Sequence, residues 1–231
     1  MHLTPVDPHA LPALHDDEAP PPHGAPHGDA LREATAALHA RLAERQGLLA
    51  ADGRRALLVV LQGRDTAGKD GTIREVFAAT NPQGTRVTAF GVPSTLERSH
   101  DYLWRVHAAV PPRGMIGIFN RSHYEDVLVA RVHGLVPEAT WSRRYRHIAE
   151  FERMLVEEGT VVLKFFLHVS RAEQAERLRK RLAKPDKNWK FDAKDLDDRL
   201  RWHAYTLAYR DAFRETSTEW APWYVVPADR K

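Results

Sequence analysis

The 231-residue chain contains no cysteine, which excludes disulfides, thiolate nucleophiles and Cys-ligated zinc and suits a reducing cytoplasm. It also has no long apolar run. The longest wholly apolar stretch is Ala56–Leu61, far short of the roughly 20 residues that span a bilayer. The N-terminus has Pro and Asp where a signal peptide would carry basic residues and then an apolar run, so export is not expected. Residues 1–29 hold no Lys or Arg. Their net charge is −5 against +3 for the whole chain, which leaves +8 on the body. A basic body favours anionic partners: nucleic acid, anionic lipid, nucleotides or polyphosphate.

The same 29 residues hold seven of the 15 prolines and five of the 13 histidines. A stretch such as PPPHGAPHG cannot bury a core, which predicts a disordered, polyproline-like arm over residues 1–29. Its histidines are irregularly spaced and lack carboxylate or Cys company, so they read as adventitious rather than metal-binding.

Beyond the arm the apolar pattern alternates between helix and strand. Asp29 reads as the N-cap of a helix to about Ala51, with Leu31, Ala34, Leu38, Leu42 and Leu49 on one side and Gly53 as its stop. ALLVVLQ is a buried strand, followed by a Gly-rich turn and a helix from Asp70 to Thr80. Arg86 to Val92 reads as a second strand. Ser94 and Glu97 have the capping-box spacing for a helix reaching Val106. MIGIFN is a third strand, with helical pattern over Tyr124 to Val132 and Glu138 to Glu158. TVVLKFFLHV is a fourth strand, and Ser170 caps a further helix. Lys184 to Phe191 is a loop, Ala193 to Glu215 a long helix, and Trp223 to Val226 the last strand. Strands separated by helices predict an α/β fold with a mainly parallel sheet and helices on both faces, with ligands beyond the C-terminal strand ends.

Gly63-Arg64-Asp65-Thr66-Ala67-Gly68-Lys69 fits the GxxxxGK pattern, placed between a buried strand and a helix as that motif requires. A Gly-rich turn lets backbone N–H groups converge on phosphate oxygens, and the helix N-terminus adds partial positive charge. Gly63, Arg64, Thr66, Ala67, Gly68, Lys69, Asp70 and Gly71 are therefore the expected phosphate cradle, with Lys69 neutralising the transferring group. Asp70 stands where a Mg²⁺-binding Ser or Thr is usual, so Asp65 within the loop is expected to take over metal binding.

MIGIFN ends in Asn120, where P-loop enzymes commonly place an Asp that holds the Mg²⁺ shell. Asn cannot supply that charge, so Glu125 and Asp126 are its expected replacements. The expected metal set is Asp65, Asn120, Glu125 and Asp126, with Mg²⁺ as the ion and Mn²⁺ as its alternative. Arg121 is expected to stabilise charge on the moving phosphoryl group, with Arg131 as a weaker candidate. His123 and His133 lack the spacing of a helical metal pair, and supporting roles are expected.

Residues 171–190 carry eight Lys/Arg and three Asp/Glu. On a helical projection Ala175, Leu178 and Leu182 share one face, and Arg177, Lys180, Arg181 and Lys184 the other. Like charges at i, i+4 repel, so such a stripe suits a polyanion lying along it. The position after strand four points to a phosphate-binding lid at about 171–200. Nucleic acid would suit the stripe too, with Trp189 stacking on a base. On these residues alone an ATP-dependent nucleoside or nucleotide kinase, or a non-catalytic binding module with a relic P-loop, stays open.

Several longer strings are far more specific. GRDTAGKDGT, NPQG, HDYLWRVH, IFNRSHYEDVLVARVH, LKFFLHVS and STEWAPWYVVPADRK closely resemble the second type of polyphosphate kinase, from about residue 30 onward. The resemblance implies a thymidylate-kinase-like, three-layer P-loop fold over residues 30–231 with a helical lid, usually as a homo-oligomer. It implies phosphoryl transfer between inorganic polyphosphate and nucleotides (AMP, ADP, ATP, with guanine nucleotides as further candidates), reversible in principle, and no nucleic-acid or membrane partner. Lys69 would bind the transferring phosphate, Asp65 would organise Mg²⁺, Arg121 would stabilise the transition state, and Arg177 and Arg181 would grip the chain. NRSHYED resembles the branch that accepts both mono- and diphosphates. Members of that family continue beyond the ADRK segment with further helix, which bears on lid packing or assembly more than on chemistry.

Overall fold

A computed structural model describes residues 3–183 and 194–230. Five parallel strands form one sheet: β1 (Ala56–Gly63), β2 (Thr85–Ala89), β3 (Ile116–Asn120), β4 (Thr160–His168) and β5 (Trp223–Pro227), in the order β2-β3-β1-β4-β5. β1 lies at the centre with both faces covered, which is why its sequence is apolar without alternation. The register sets Leu61 beside Asn120 and Gly63 beside Leu167, so β1, β3 and β4 end together. Because β1 lies between β3 and β4, the loop that follows it opens at the switch point where open α/β sheets bind ligands.

Helices pack on both faces. The helices α1 (Gly28–Asp52) and α2 (Lys69–Val76) lie on one side, where Leu49, Ile73 and Phe77 cover Val59, Leu61, Ile116 and Ile118. On the other side are α6 (Glu138–Glu157) and α9 (Trp202–Thr216). Ile148, Phe151 and Leu155 of α6 and Tyr209 and Phe213 of α9 enclose Leu58, Val60, Phe119 and Phe166. Each such side chain withdrawn from water contributes about 1.5–3 kcal/mol. The remaining helices are α3 (Thr95–Arg98), α4 (Trp104–His107), α5 (Val129–Val132), α7 (Arg171–Ala183) and α8 (Lys194–Leu200). The three-layer α/β architecture is the one expected.

Local signals hold well. Gly53 ends α1 at φ 61°, its N–H donating to the Leu49 carbonyl. Ser94 and Glu97 form both bonds of a capping box, although α3 is a single turn and Val106 belongs to the separate α4. In NPQG the Asn81 side chain accepts from the Gln83 N–H, and the buried Gln46 of α1 donates to the Asn81 carbonyl.

Two expectations fail. α1 does not bury an apolar stripe: Leu38 is 60% exposed, and the buried residue among those described in this helix is Gln46. Nor do the described residues of the arm lie loose. Val6, Leu14 and Ala19 are buried, the Val6 N–H donates to the Trp223 carbonyl, and the Asp229 N–H to that of Ala19. A proline-rich chain needs few apolar anchors once its main chain finds partners along the sheet edge.

Candidate active site

β1 ends in glycine for a steric reason. A Cβ at Gly63 would lie 2.9 Å from the Leu167 carbonyl oxygen and 3.0 Å from the Ala67 Cβ. The loop then turns back through Thr66 at φ 64° and Gly68 at φ 110°, and α2 opens at Lys69. A non-glycine residue in the left-handed region costs of order 1 kcal/mol or more, which the surroundings must offset. They do so through Arg177 of α7. Its guanidinium donates to the carbonyls of Thr66 (3.0 Å), Ala67 (2.9 Å) and Ala228 (2.6 Å), and Gln174 Nε2 to that of Asp65 (3.1 Å).

Lys69 reaches back across the loop, its Nζ donating to the carbonyls of Gly63 (2.7 Å) and Arg64 (3.4 Å). Burial lowers its pKa and Arg121 adds repulsion, while Asp65, Glu125 and Asp70 oppose both. Arg121 directly follows β3 and also sits at positive φ, 63°. It donates to Asp65 at 2.8 Å and lies 3.8 Å from Glu125. Burial works against its charge, but Glu125 and then Asp65 outweigh that and hold its pKa above the ordinary value. Burial raises the Glu125 pKa, against the pull of Arg121 and Lys69. Asn120 donates from Nδ2 to Asp70 at 2.8 Å.

Gly63, Arg64, Asp65, Arg121 and Glu125 line one cavity that α7, α8 and α9 close with Gln174, Asp198, Tyr205 and Tyr209. It holds about 30 Å³, the space of a single water.

A profile of the family described as "Polyphosphate kinase 2 (PPK2)" matches residues 27–231. The chain belongs to the polyphosphate kinase 2 family. It is 60% identical over 198 residues to an AMP/ADP-polyphosphate phosphotransferase of Meiothermus ruber, covering 86% of this chain and 74% of that one. With an ADP-polyphosphate phosphotransferase of Rhodopseudomonas palustris it shares 48% identity, covering 83% and 70% of the two chains. The crystal structure of polyphosphate kinase 2 from Arthrobacter aurescens superposes with a TM-score of 0.82 at 49% identity, over 85% of this chain and 71% of that one.

Within this polyphosphate kinase 2 fold, the sequence-predicted residues separate into those that meet and those that do not. Asp65, Arg121 and Glu125 line the cavity, and Lys69 lies within electrostatic reach of all three. Asp126 does not. It turns to Arg144 at 3.3 Å, which offsets part of its burial, and lies outside the cavity lining, so its expected metal role is not supported. Arg131 is held at 2.7 Å by Asp211, donates to Tyr145 and stacks over Trp141 at 4.5 Å, outside the cavity lining. The expected grip of Arg177 on polyphosphate is also corrected, because four carbonyls and Glu173 engage its fork and it is 6% exposed. Lys180 is exposed beside Glu176, Arg181 is half-buried, and Lys184 lies outside the described residues, as does the Lys184 to Phe191 loop.

Sequence reasoning missed Gln174, Asp198, Tyr205 and Tyr209, which no local motif marks. It also missed a buried polar network beneath the β3 loop. Lys164 Nζ donates to Glu152 (2.5 Å), Tyr124 (3.0 Å) and the Thr216 carbonyl (2.7 Å), and His123 lies 3.1 Å from Glu152. Since His123 and Tyr124 follow Arg121 within three positions, this network anchors the turn that presents Arg121 and Glu125. The supporting role expected of His123 fits it.

Proposed function

We infer that this polyphosphate kinase 2 family member transfers phosphoryl groups from inorganic polyphosphate to AMP and ADP, forming ADP and ATP. The observation that carries this reading is the meeting of Lys69, Arg121, Asp65 and Glu125 at a P-loop mouth roofed by a helix with basic residues. The named activities of the Meiothermus ruber and Rhodopseudomonas palustris relatives support it. Asn120 at the end of β3 agrees with use of both mono- and diphosphate acceptors.

A nucleotide phosphate oxygen attacks the terminal phosphorus of the chain in line. One P–O bond forms, the bridging P–O bond breaks, and polyphosphate leaves one unit shorter. Such a reaction asks for positioning and charge neutralisation rather than a covalent nucleophile. Backbone N–H groups at Gly68, Lys69 and Asp70, where α2 opens, hold the phosphoryl oxygens, and the Lys69 ammonium offsets the charge they gain. Arg121, fixed by Asp65 and Glu125, presents its guanidinium to the equatorial oxygens. Asp65 and Glu125 give an all-oxygen carboxylate donor pair beside the cradle, which fits Mg²⁺, with Mn²⁺ as its substitute. When bound, that ion would supply further countercharge to the phosphate oxygens beside Lys69. Action in the cytoplasm, assembly as a homo-oligomer and acceptance of guanine nucleotides belong to the same proposal.

The test incubates the protein with long-chain polyphosphate, Mg²⁺ and ADP, and measures ATP by luciferase; AMP alone is then supplied. ATP should form from ADP, and ADP followed by ATP from AMP, with no other donor present. No nucleotide phosphorylation unless ATP is supplied as donor would overturn the reading.

A further inference from the structure

The cavity above the P-loop brings together a guanidinium with idle donors and two carboxylates that share one small space. On one wall stands Arg64, 6% exposed, its ring-facing side stacked 3.9 Å over Trp202 and Nη2 donating to Thr206 at 2.5 Å. Among the described residues its Nε and Nη1 have no hydrogen-bond partner. A buried guanidinium with two idle donors points to an anionic ligand. On the facing side Asp198, from α8, lines the same small cavity as Asp65 of the P-loop, and the two carboxylates repel one another. Asp198 is fixed there rather than drifting: one oxygen accepts from His133 at 2.5 Å and from the Tyr205 hydroxyl at 3.1 Å. A carboxylate oriented by an imidazole and a phenol, with another carboxylate against it, has the form of a supported metal ligand. A phosphate alone would satisfy Arg64 and worsen the acidic side. A divalent cation alone would do the reverse. A cation–phosphate unit satisfies both.

We propose that Asp198 is a lid-borne metal-binding residue, which joins Asp65 on the divalent cation of a metal–phosphate unit whose phosphate is held by Arg64, so that metal binding draws α8 onto the P-loop. The inference rests on the reading that the P-loop site takes a divalent cation. It assigns to α8 a part in metal binding, where the sequence suggested only basic contacts to the chain.

The test uses the full chain and Mn²⁺, counted as free ion by electron paramagnetic resonance, first alone and then with tripolyphosphate. Hydrogen exchange follows residues 194–200 in parallel, and circular dichroism checks that each variant is folded. Asp198→Asn should weaken Mn²⁺ binding about tenfold or more. Asp197→Asn, a neighbour that pairs with Arg201 at 3.2 Å, should stay within about twofold. Mn²⁺ with tripolyphosphate should slow exchange over α8 in the wild type and not in Asp198→Asn. Unchanged Mn²⁺ affinity in Asp198→Asn, with a large loss in Asp65→Asn, would overturn the lid's part and leave the P-loop metal standing. Unchanged affinity in both would overturn the metal reading itself. Equal weakening by Asp197→Asn would place the ion in the His133, Asp197 and Asp198 cluster instead, and also overturn the proposal.

Discussion

Lys164 is fully buried and Lys69 half-buried, and desolvation lowers the pKa of each, yet their surroundings differ in kind. Lys164 lies in the core with a carboxylate, a phenol and a carbonyl arranged around its ammonium. Lys69 rests on two loop carbonyls, while Asp65 and Glu125 stand near it without forming an ion pair to it. The first arrangement is closed. The second leaves the ammonium able to exchange weak partners for a stronger anion. Where a buried charge is fully met, it serves the fold; where it is only partly met, it serves a ligand.

The widest test of that contrast replaces each lysine. Lys69→Ala should lower kcat by about 10³-fold or more, with a melting temperature within about 2 °C of the wild type. Lys164→Met should do the opposite. Removing one partner of a buried pair costs about 3–5 kcal/mol, because Glu152 would lose its ammonium and keep only Tyr124 and His123 beside it. That corresponds to a fall of about 10 °C in melting temperature, with turnover per folded molecule reduced far less than in Lys69→Ala, by the roughly few-fold loss that a loosened Arg121 turn brings. Glu152→Leu added to Lys164→Met should recover part of the loss. If both single variants lose activity and stability in equal measure, the division between the two regions is wrong.

A smaller effect is expected from Arg177→Ala, which removes the brace behind the loop without touching its phosphate-facing side. Turnover should fall about 10- to 100-fold as Thr66 and Ala67 relax. Arg177→Lys should rescue little, because a single ammonium cannot serve carbonyls on two segments as a planar fork does. Lys180→Ala should instead raise KM for polyphosphate a few-fold and leave kcat alone. Steady-state kinetics against polyphosphate separate the two patterns.

These same residues show what a sequence can and cannot disclose. The P-loop was legible because its requirements are local: seven consecutive residues, a buried strand before them and a helix after. Arg177 was misplaced because a helical projection sorts residues into faces and does not say which face turns inward. Gln174, Arg177 and Leu178 face the protein, while Leu182, assigned to the apolar side, is 51% exposed. The Lys164 network was invisible, since its carboxylate comes from α6 and its other partners from the β3 loop and the end of α9. Asp198 was missed for a like reason: its meaning depends on Asp65, which comes from the opposite end of the domain in sequence. The arm was misread because composition reports how much apolar surface a segment has, not whether its main chain finds an edge to pair with.

The smallest predicted effect concerns the seam between that arm and the core. His168, at the end of β4, is fully buried, and its ring nitrogen Nε2 is 2.8 Å from the His15 carbonyl. Burial lowers its pKa from 6.5, the His15 carbonyl resists, and Arg64 lowers it further. The folded pKa is then below the unfolded one, so between the two the unfolded chain binds more protons. Stability is present in full above about pH 6.5 and declines as pH falls through the folded value. His168→Gln keeps an N–H donor for the His15 carbonyl and has no titrating group. Melting temperatures measured from pH 7.5 to pH 5 should fall more steeply for the wild type than for His168→Gln, with the curves parallel above pH 7. Parallel curves throughout would mean that the ring takes up its proton without leaving the fold, and that the seam between arm and core is open to water after all.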